Sequence, residues 1–314
     1  MAMASSAVQL FREYFGNAAL PSNADDWTTL LRKHFPEILT AVLFGLLYYQ
    51  TLIDLARDWW EMPEAGHGLL LAPVSIWLAW RGGIRAGARA NHALGAGLLL
   101  LALLLRCVGG LAADVFTTRV SMMAMLVALT TYRYGFRQCL HWWLPFTLGG
   151  LSIPLPELIT QAIALPLQFR ASRIGAKLLQ MRGVPVLLAG NVIHVPGHEL
   201  FVTEACSGLR SLTALLSIGV LISALFLERW PTRIVLLLVV FPIAILINGL
   251  RVFLTGFLVF FVSPALGQGF MHLTEGWLLF LVSLASLAMT AMLGRFIERR
   301  TMRVSPVEEA LSHV

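Results

Sequence analysis

Three ionisable side chains stand out in a chain that is otherwise apolar. Cys206 lies in Glu204-Ala205-Cys206-Ser207-Gly208-Leu209-Arg210, where a polar segment meets a long apolar run. Arg251 sits deep in a second apolar run, and His272 just ahead of a third. The chemistry that fits is nucleophilic. A thiol ionises near pH 8.5, and more readily beside a cation or a helix N-terminus. An imidazole can take the thiol proton and return it to a leaving amine. A guanidinium offers a planar fork of donors to an oxyanion or a carboxylate. Asn248, three residues before Arg251 on the same helical face, can orient it or add a donor. Each residue also has a plainer reading. Cys206 can be a small packed side chain, His272 an interfacial anchor, and Arg251 the structural partner of Glu204 or Glu275.

The elements that must hold these residues are membrane helices. The 314 residues are 58% apolar and 13% charged, against about a quarter charged in soluble domains. Apolar runs of about 17–20 residues recur, the length that crosses a hydrocarbon core of about 30 Å. Eight spans are expected, at roughly 37–55, 68–81, 93–112, 116–132, 137–153, 208–227, 233–262 and 275–295. The segment at 68–81 is short, so seven spans and a re-entrant piece is the alternative. The fold class is therefore an all-α polytopic membrane protein. Residues 1–35 form an N-terminal segment, 36–296 the transmembrane domain, and 297–314 a tail. No short apolar stretch with a cleavage site precedes the first run, so no cleavable signal peptide is expected.

Charge sets the orientation. Arg81, Arg85 and Arg89 fill one loop; Arg133 and Arg137 another; Arg229 and Arg233 a third; Arg295, Arg299, Arg300 and Arg303 the tail. Every second loop is basic, so these loops and both termini are expected in the cytoplasm. The formal net charge of +6 thus reflects topology, and no nucleic-acid partner is expected. Arg251 then lies about 27 Å into its span. Cys206, Arg251 and His272 reach the same outer depth on three different segments.

The long segment at about 154–207 is predicted to lie outside. Pro154 and Pro156 end the preceding span. Leu158, Ala162, Leu165, Phe169, Ile174, Leu178 and Met181 recur at near-helical spacing, which reads as an amphipathic helix on the membrane surface. Short β-like runs follow at 184–188, 191–195 and 200–203, separated by Gly190-Asn191 and Pro196-Gly197. This small hairpin-like insertion leads into Cys206. His194 and His198 lack metal-ligand spacing. Cys107 and Cys139 read as small core residues, with a Cys107–Cys206 disulfide as the alternative. Arg106 is expected to snorkel or to pair with Asp114.

These residues resemble the exosortase/archaeosortase family. The resemblance rests on Glu204–Arg210, on Asn248-Gly249-Leu250-Arg251, and on His272 with Gly276 four residues on. Gly66-His67-Gly68-Leu69-Leu70, with Pro73, Trp77 and Trp80, is similar to that family's N-terminal signature. Gly190-Asn191-Val192-Ile193 is also similar to a family segment. Gly66 departs from the pattern, where a small hydroxyl residue is usual. The resemblance covers about residues 36–296.

The resemblance implies a multi-spanning cysteine endopeptidase and transpeptidase of the bacterial inner membrane, with its site on the extracytoplasmic side. Its partners would be membrane-anchored substrate proteins carrying C-terminal sorting signals: a short motif such as Pro-Glu-Pro, a transmembrane helix and a basic cluster. A lipid or glycan acceptor would receive the cleaved protein, and membrane lipids surround it. Cys206, Arg251 and His272 would be catalytic. His67, Glu204, Arg210 and Asn248 would support the site or bind substrate. No metal and no organic cofactor is required. Two other classes remain open from the residues alone. One is a transporter of an anionic solute, with Asn248-Gly249 marking a broken helix. The other is a scaffold for exopolysaccharide assembly.

Overall fold

The computed structural model describes residues 24–62, 64–202, 209–263 and 269–311; side chains at 24–34, 201, 269–275 and 302–311 are outside this description. Two compact units divide the chain, Met1–Leu52 and Ile53–Val314. Helix α1, Ala24–Glu61, runs through the boundary. Within the first unit, Pro36 lies inside this helix, and its carbonyl accepts from Thr40 Oγ1 at 2.7 Å. Further on, Phe44 and Tyr48 stack one turn apart.

The second unit holds the remaining elements. Helices α2 (Gly68–Gly82), α3 (His92–Leu111), α4 (Val115–Tyr134), α5 (Phe136–His141), α6 (Trp143–Leu151) and α7 (Glu157–Met181) come first. Strands β1 (Leu187–Ala189), β2 (Val192–Val195) and β3 (His198–Phe201) follow. Helices α8 (Leu209–Phe226), α9 (Trp230–Phe261) and α10 (Gly269–Leu311) complete it. Among the described residues, six helical segments are long and apolar enough to cross a membrane: Phe35–Glu61, His92–Leu111, Val115–Tyr134, Leu209–Phe226, Trp230–Phe261 and Gly276–Thr301. The chain is thus an all-α polytopic membrane protein with one small sheet. Eight is an approximate count, because the two other expected passes are built differently.

One of these is α2, an apolar helix of 15 residues, about 22 Å long. The other, expected as one span at 137–153, is broken at Trp142 into α5 and α6. The break serves packing: Trp142 Nε1 donates to Gly83 O at 3.0 Å, and His141 Nε2 bonds Gly82 O at 3.0 Å. Further along, Ser75 Oγ donates to Pro145 O at 2.6 Å. At the far end Trp59 Nε1 donates to Ser152 O at 2.7 Å, and His67 Nε2 donates to Leu151 O at 3.2 Å. So α2 and α5–α6 run antiparallel, tied at both ends.

Helices α3 and α4 form a hairpin through small residues. Gly95, Ala102 and Gly109, spaced seven apart, are the buried positions of α3. A side chain at Gly95 would run into Tyr132, and one at Gly109 into Thr118. Such positions let membrane helices approach closely where hydrophobicity cannot select a partner. Asp114 caps α4 by accepting from Thr117 N at 2.9 Å. The Thr117 hydroxyl and backbone N–H hold its carboxyl below the usual range. Asp114 therefore makes the cap contacts, while Arg106 reaches along its own helix toward Gly110.

Helix α7 is present but lies otherwise than expected. The ends of the apolar stripe expected on the membrane surface are exposed, Leu158 at 81% and Met181 at 74%, but the helix packs along α9 through a different face. Its buried face is Ala164, Leu167, Gln168, Ala171, Ser172, Gly175, Ala176 and Leu179. This small-residue face runs parallel to α9, matching Ile174 to Gly249, Gly175 to Val252 and Leu179 to Gly256. A Cβ on Gly249 would stand 2.6 Å from Ile174, and one on Gly175 2.5 Å from Val252. Close backbone approach decides the lie of the helix, not its longest apolar stripe. Arg170, Arg173 and Lys177 are on the exposed side.

The sheet is an antiparallel meander, β1-β2-β3. Both connections are two-residue turns at the expected Gly190-Asn191 and Pro196-Gly197. Gly197 has φ +81°, which the third position of a type II turn requires. Ile193 and Val195 pack with Ala171, Leu179 and Val252, so the sheet sits on α7 and the second half of α9. At about 48 Å, α9 is longer than a hydrocarbon core, and its last turns carry the sheet.

Cys139 is buried, 3.2 Å from Thr131 Oγ1. Cys107, expected as a core residue, is instead exposed on α3 and is a free thiol. An apolar helix surface facing lipid tolerates it as well as a core does.

Candidate active site

Arg251 lies on α9 with a rise of about 32 Å from Trp230, the thickness of a hydrocarbon core. Two faces of α9 meet different neighbours at this height. Gly249, Val252 and Gly256 face α7, where the two backbones nearly touch. Asn248, Arg251 and Thr255 recur at helical spacing on the other face. Asn248 is 5% exposed, and Arg251 half-buried. Thr255 is a polar member of this stripe that the sequence reading passed over; its place four residues after Arg251 was the available signal.

Gly276 on α10 makes room for Arg251. A Cβ there would stand 3.0 Å from Arg251 Nη2 and 3.2 Å from Cζ. The guanidinium therefore rests on bare backbone. His272 lies four residues before Gly276 on the same helix face. Arg251 and position 272 are thus about one helical turn apart across the α9–α10 contact.

Cys206 and Glu204 lie outside the described residues, within 203–208. Both ends of that stretch are anchored. Before it, Val202 is buried; its N–H donates to Asn191 O at 3.0 Å, and its carbonyl accepts from Asn191 Nδ2 at 3.2 Å. Asn191 Nδ2 also reaches Gln168 Oε1 on α7 at 3.4 Å. After it, Leu209 opens α8 and is buried in the core that joins α7, α8, α9 and α10. Arg210 follows as an exposed residue in the first turn of α8.

His67 is placed elsewhere. Leu71 packs with Leu148, Val220 and Leu237. Along α9, Leu237 is about 21 Å short of Arg251, and His67 extends only about 6 Å beyond Leu71. His67 thus stands about 15 Å short of Arg251 along the bundle, where it clamps the end of α6. Gly68 leaves room for the Trp59 indole beside it. This part of the motif is a packing joint.

Two further polar features were not foreseen. Arg119 Nη2 pairs with Asp58 Oδ2 at 2.7 Å, with the Arg119 side chain 6% exposed. Glu298, buried among the tail arginines, accepts from Arg229 N at 2.9 Å and Glu228 N at 3.1 Å, and from the Thr232 hydroxyl. It caps the start of α9 from a neighbouring helix. His194 Nδ1 lies 3.2 Å from Glu199 Oε1, its cross-strand partner.

The Arg-rich loops share one end. Arg85 N donates to Gln138 Oε1 at 2.8 Å, Trp143 and Trp230 stack at 5.8 Å, and Glu298 binds the 228–229 backbone. The sheet and Arg251 lie toward the other.

Among known proteins, the family model described as Transmembrane exosortase (Exosortase_EpsH) matches residues 59–289. No curated protein matches, and no solved structure matches.

Proposed function

Because the chain belongs to the transmembrane exosortase family, we propose that it is a membrane cysteine transpeptidase that cleaves C-terminal sorting signals. The Cys206 thiolate attacks the peptide carbonyl beside the sorting motif, forming a C–S bond and a tetrahedral oxyanion. Arg251 donates hydrogen bonds to that oxygen. The C–N bond then breaks, and His272 gives its proton to the departing amine. A thioester remains on Cys206. An acceptor amine or hydroxyl on a lipid or glycan, or water, attacks it while His272 takes the proton, and the thiolate leaves.

The contact of Arg251 with Gly276 carries this reading, because it sets the guanidinium one turn from the His272 position. The anchors at Val202 and Leu209 support it too. Cys206 is three residues from Leu209, which limits its distance to about 11 Å. Leu209 packs in the core that α9 and α10 share. Asn248 steadies Arg251, while Glu204 and Arg210 flank the thiol. His67 acts at longer range, as a clamp on α6. By the positive-inside rule, the arginine-rich end faces the cytoplasm and the sheet end the periplasm of a bacterial inner membrane. Substrates then enter from the bilayer, with their own helix in lipid and the scissile bond at its surface.

Hydroxylamine tests the intermediate. Purified protein in membranes is given a precursor with a sorting signal, with and without hydroxylamine. A thioester is captured as a C-terminal hydroxamate on the cleaved protein, and the thiol is released. Cleavage that yields only a carboxylate at high hydroxylamine would reject the covalent route.

A further inference from the structure

At the arginine-rich end a cavity of about 200 Å³ opens between α2, α5–α6, α8 and α9. Trp142, Trp143 and His141 form one wall, Leu78 and Ala224 line it from α2 and α8, and Arg233 closes it from α9. The proposed peptide chemistry makes no use of it.

Arg233 is fixed before any ligand arrives. Its Nε and Nη2 both hold Leu227 O, at 3.0 and 2.7 Å. Its Cζ lies 5.2 Å from the Trp230 ring and 5.9 Å from that of Trp143. These contacts leave Nη1 unspent, and no carboxylate pairs with Arg233 among the described residues. A guanidinium held this way has lost its side-chain entropy in advance, and its fork geometry suits phosphate. Nearby charges are mixed. Arg81 lies over Trp77 at the end of α2, and Arg295 over Phe226 from α10. The opposing charges are Glu228, exposed in the same loop, and Glu298, whose oxygens are engaged by the 228–229 backbone and Thr232.

We propose that this cavity binds the phosphate headgroup of an anionic phospholipid. A cavity of about 200 Å³ admits a phosphate ester and its first carbons, with the acyl chains left outside. Those have an apolar path outside. Phe226, Ile234, Leu238 and Phe241 are exposed large side chains on α8 and α9. Tryptophans gather at this level, where membrane proteins place them at the headgroup boundary. Basic pockets between helices at such a boundary suit anionic headgroups. A bound lipid would join α2 and α5–α6 to α8 and α9.

The test uses the full chain in phosphatidylcholine nanodiscs, with phosphatidylglycerol titrated in and thermal unfolding followed. Native mass spectrometry counts retained lipids. The expected result is a saturable stabilisation by phosphatidylglycerol and one retained copy. Arg233→Gln removes the guanidinium. Ala224→Leu fills the cavity and leaves Arg233 intact, which covers the case in which Arg233→Gln fails to fold. Either variant should weaken lipid binding at least ~10-fold, Arg233→Gln by removing a charge-assisted hydrogen bond and Ala224→Leu by shutting the headgroup out of the cavity. Equal stabilisation by both lipids, or an unchanged response in Ala224→Leu, would overturn the proposal. So would inorganic phosphate reproducing the shift, since it would make the cavity a solute site.

Discussion

The Arg251 guanidinium rests on the backbone of Gly276, where a Cβ would stand 3.0 Å from Nη2. The contact joins the helix that carries the arginine to the helix that carries His272. It brings two motifs far apart in sequence onto neighbouring helices.

The first prediction follows from that spacing. Gly276→Ala pushes the end of Arg251 by a few tenths of an ångström, since a guanidinium tip can yield where backbone cannot. Precursor processing should fall about tenfold or more, because small misplacements at a reacting centre are costly. Membrane-extracted protein should stay near normal. Gly276→Leu should abolish processing. Normal processing by Gly276→Leu would show that the position of Arg251 is irrelevant.

Arg251 itself separates charge from geometry. Arg251→Lys keeps the charge and loses the fork. If the guanidinium holds the oxyanion, turnover should drop by roughly 10²–10³, with abundance unchanged. Processing and protein level are measured together. Full processing by Arg251→Lys would leave at most a point charge.

Asn191 tests the anchor ahead of the thiol. Asn191→Ala leaves the Val202 carbonyl and Gln168 without its amide, a loss of about 1–3 kcal/mol. The β1–β2 turn should survive, because its backbone register remains. Processing should decline more than thermal stability, and accessibility of Cys206 to a membrane-impermeant thiol probe should rise. Unchanged labelling and turnover would mean that the segment from 203 to 208 is held by other contacts.

Much of this was legible in the sequence, for physical reasons. Long apolar runs revealed most of the spans, because bilayer thickness acts on each segment separately. Gly190-Asn191 and Pro196-Gly197 revealed both turns, since turn geometry is local. The lie of α7 was not legible. Hydropathy picks out Leu158 and Met181, which face outward, and ignores Ala171, Ser172 and Gly175, which pack. The break at Trp142 was hidden for the same reason: it depends on carbonyls of Gly82 and Gly83 supplied by another helix. The Arg119–Asp58 pair joins residues far apart in the chain, and no local pattern marks it. At the site, Arg251 and Gly276 could be named from the sequence as family motifs, but their contact could not.

Cys206 is the proposed nucleophile, and replacing it with alanine tests that role. Cys206→Ala is expressed with a reporter bearing a C-terminal sorting signal, and the ratio of precursor to processed form is measured in membranes. Cys107→Ala and Cys139→Ala serve as controls. The expected result is full-length precursor alone with Cys206→Ala, at normal enzyme abundance, and ordinary processing in both controls. Processing at the normal rate by Cys206→Ala would contradict the thioester mechanism.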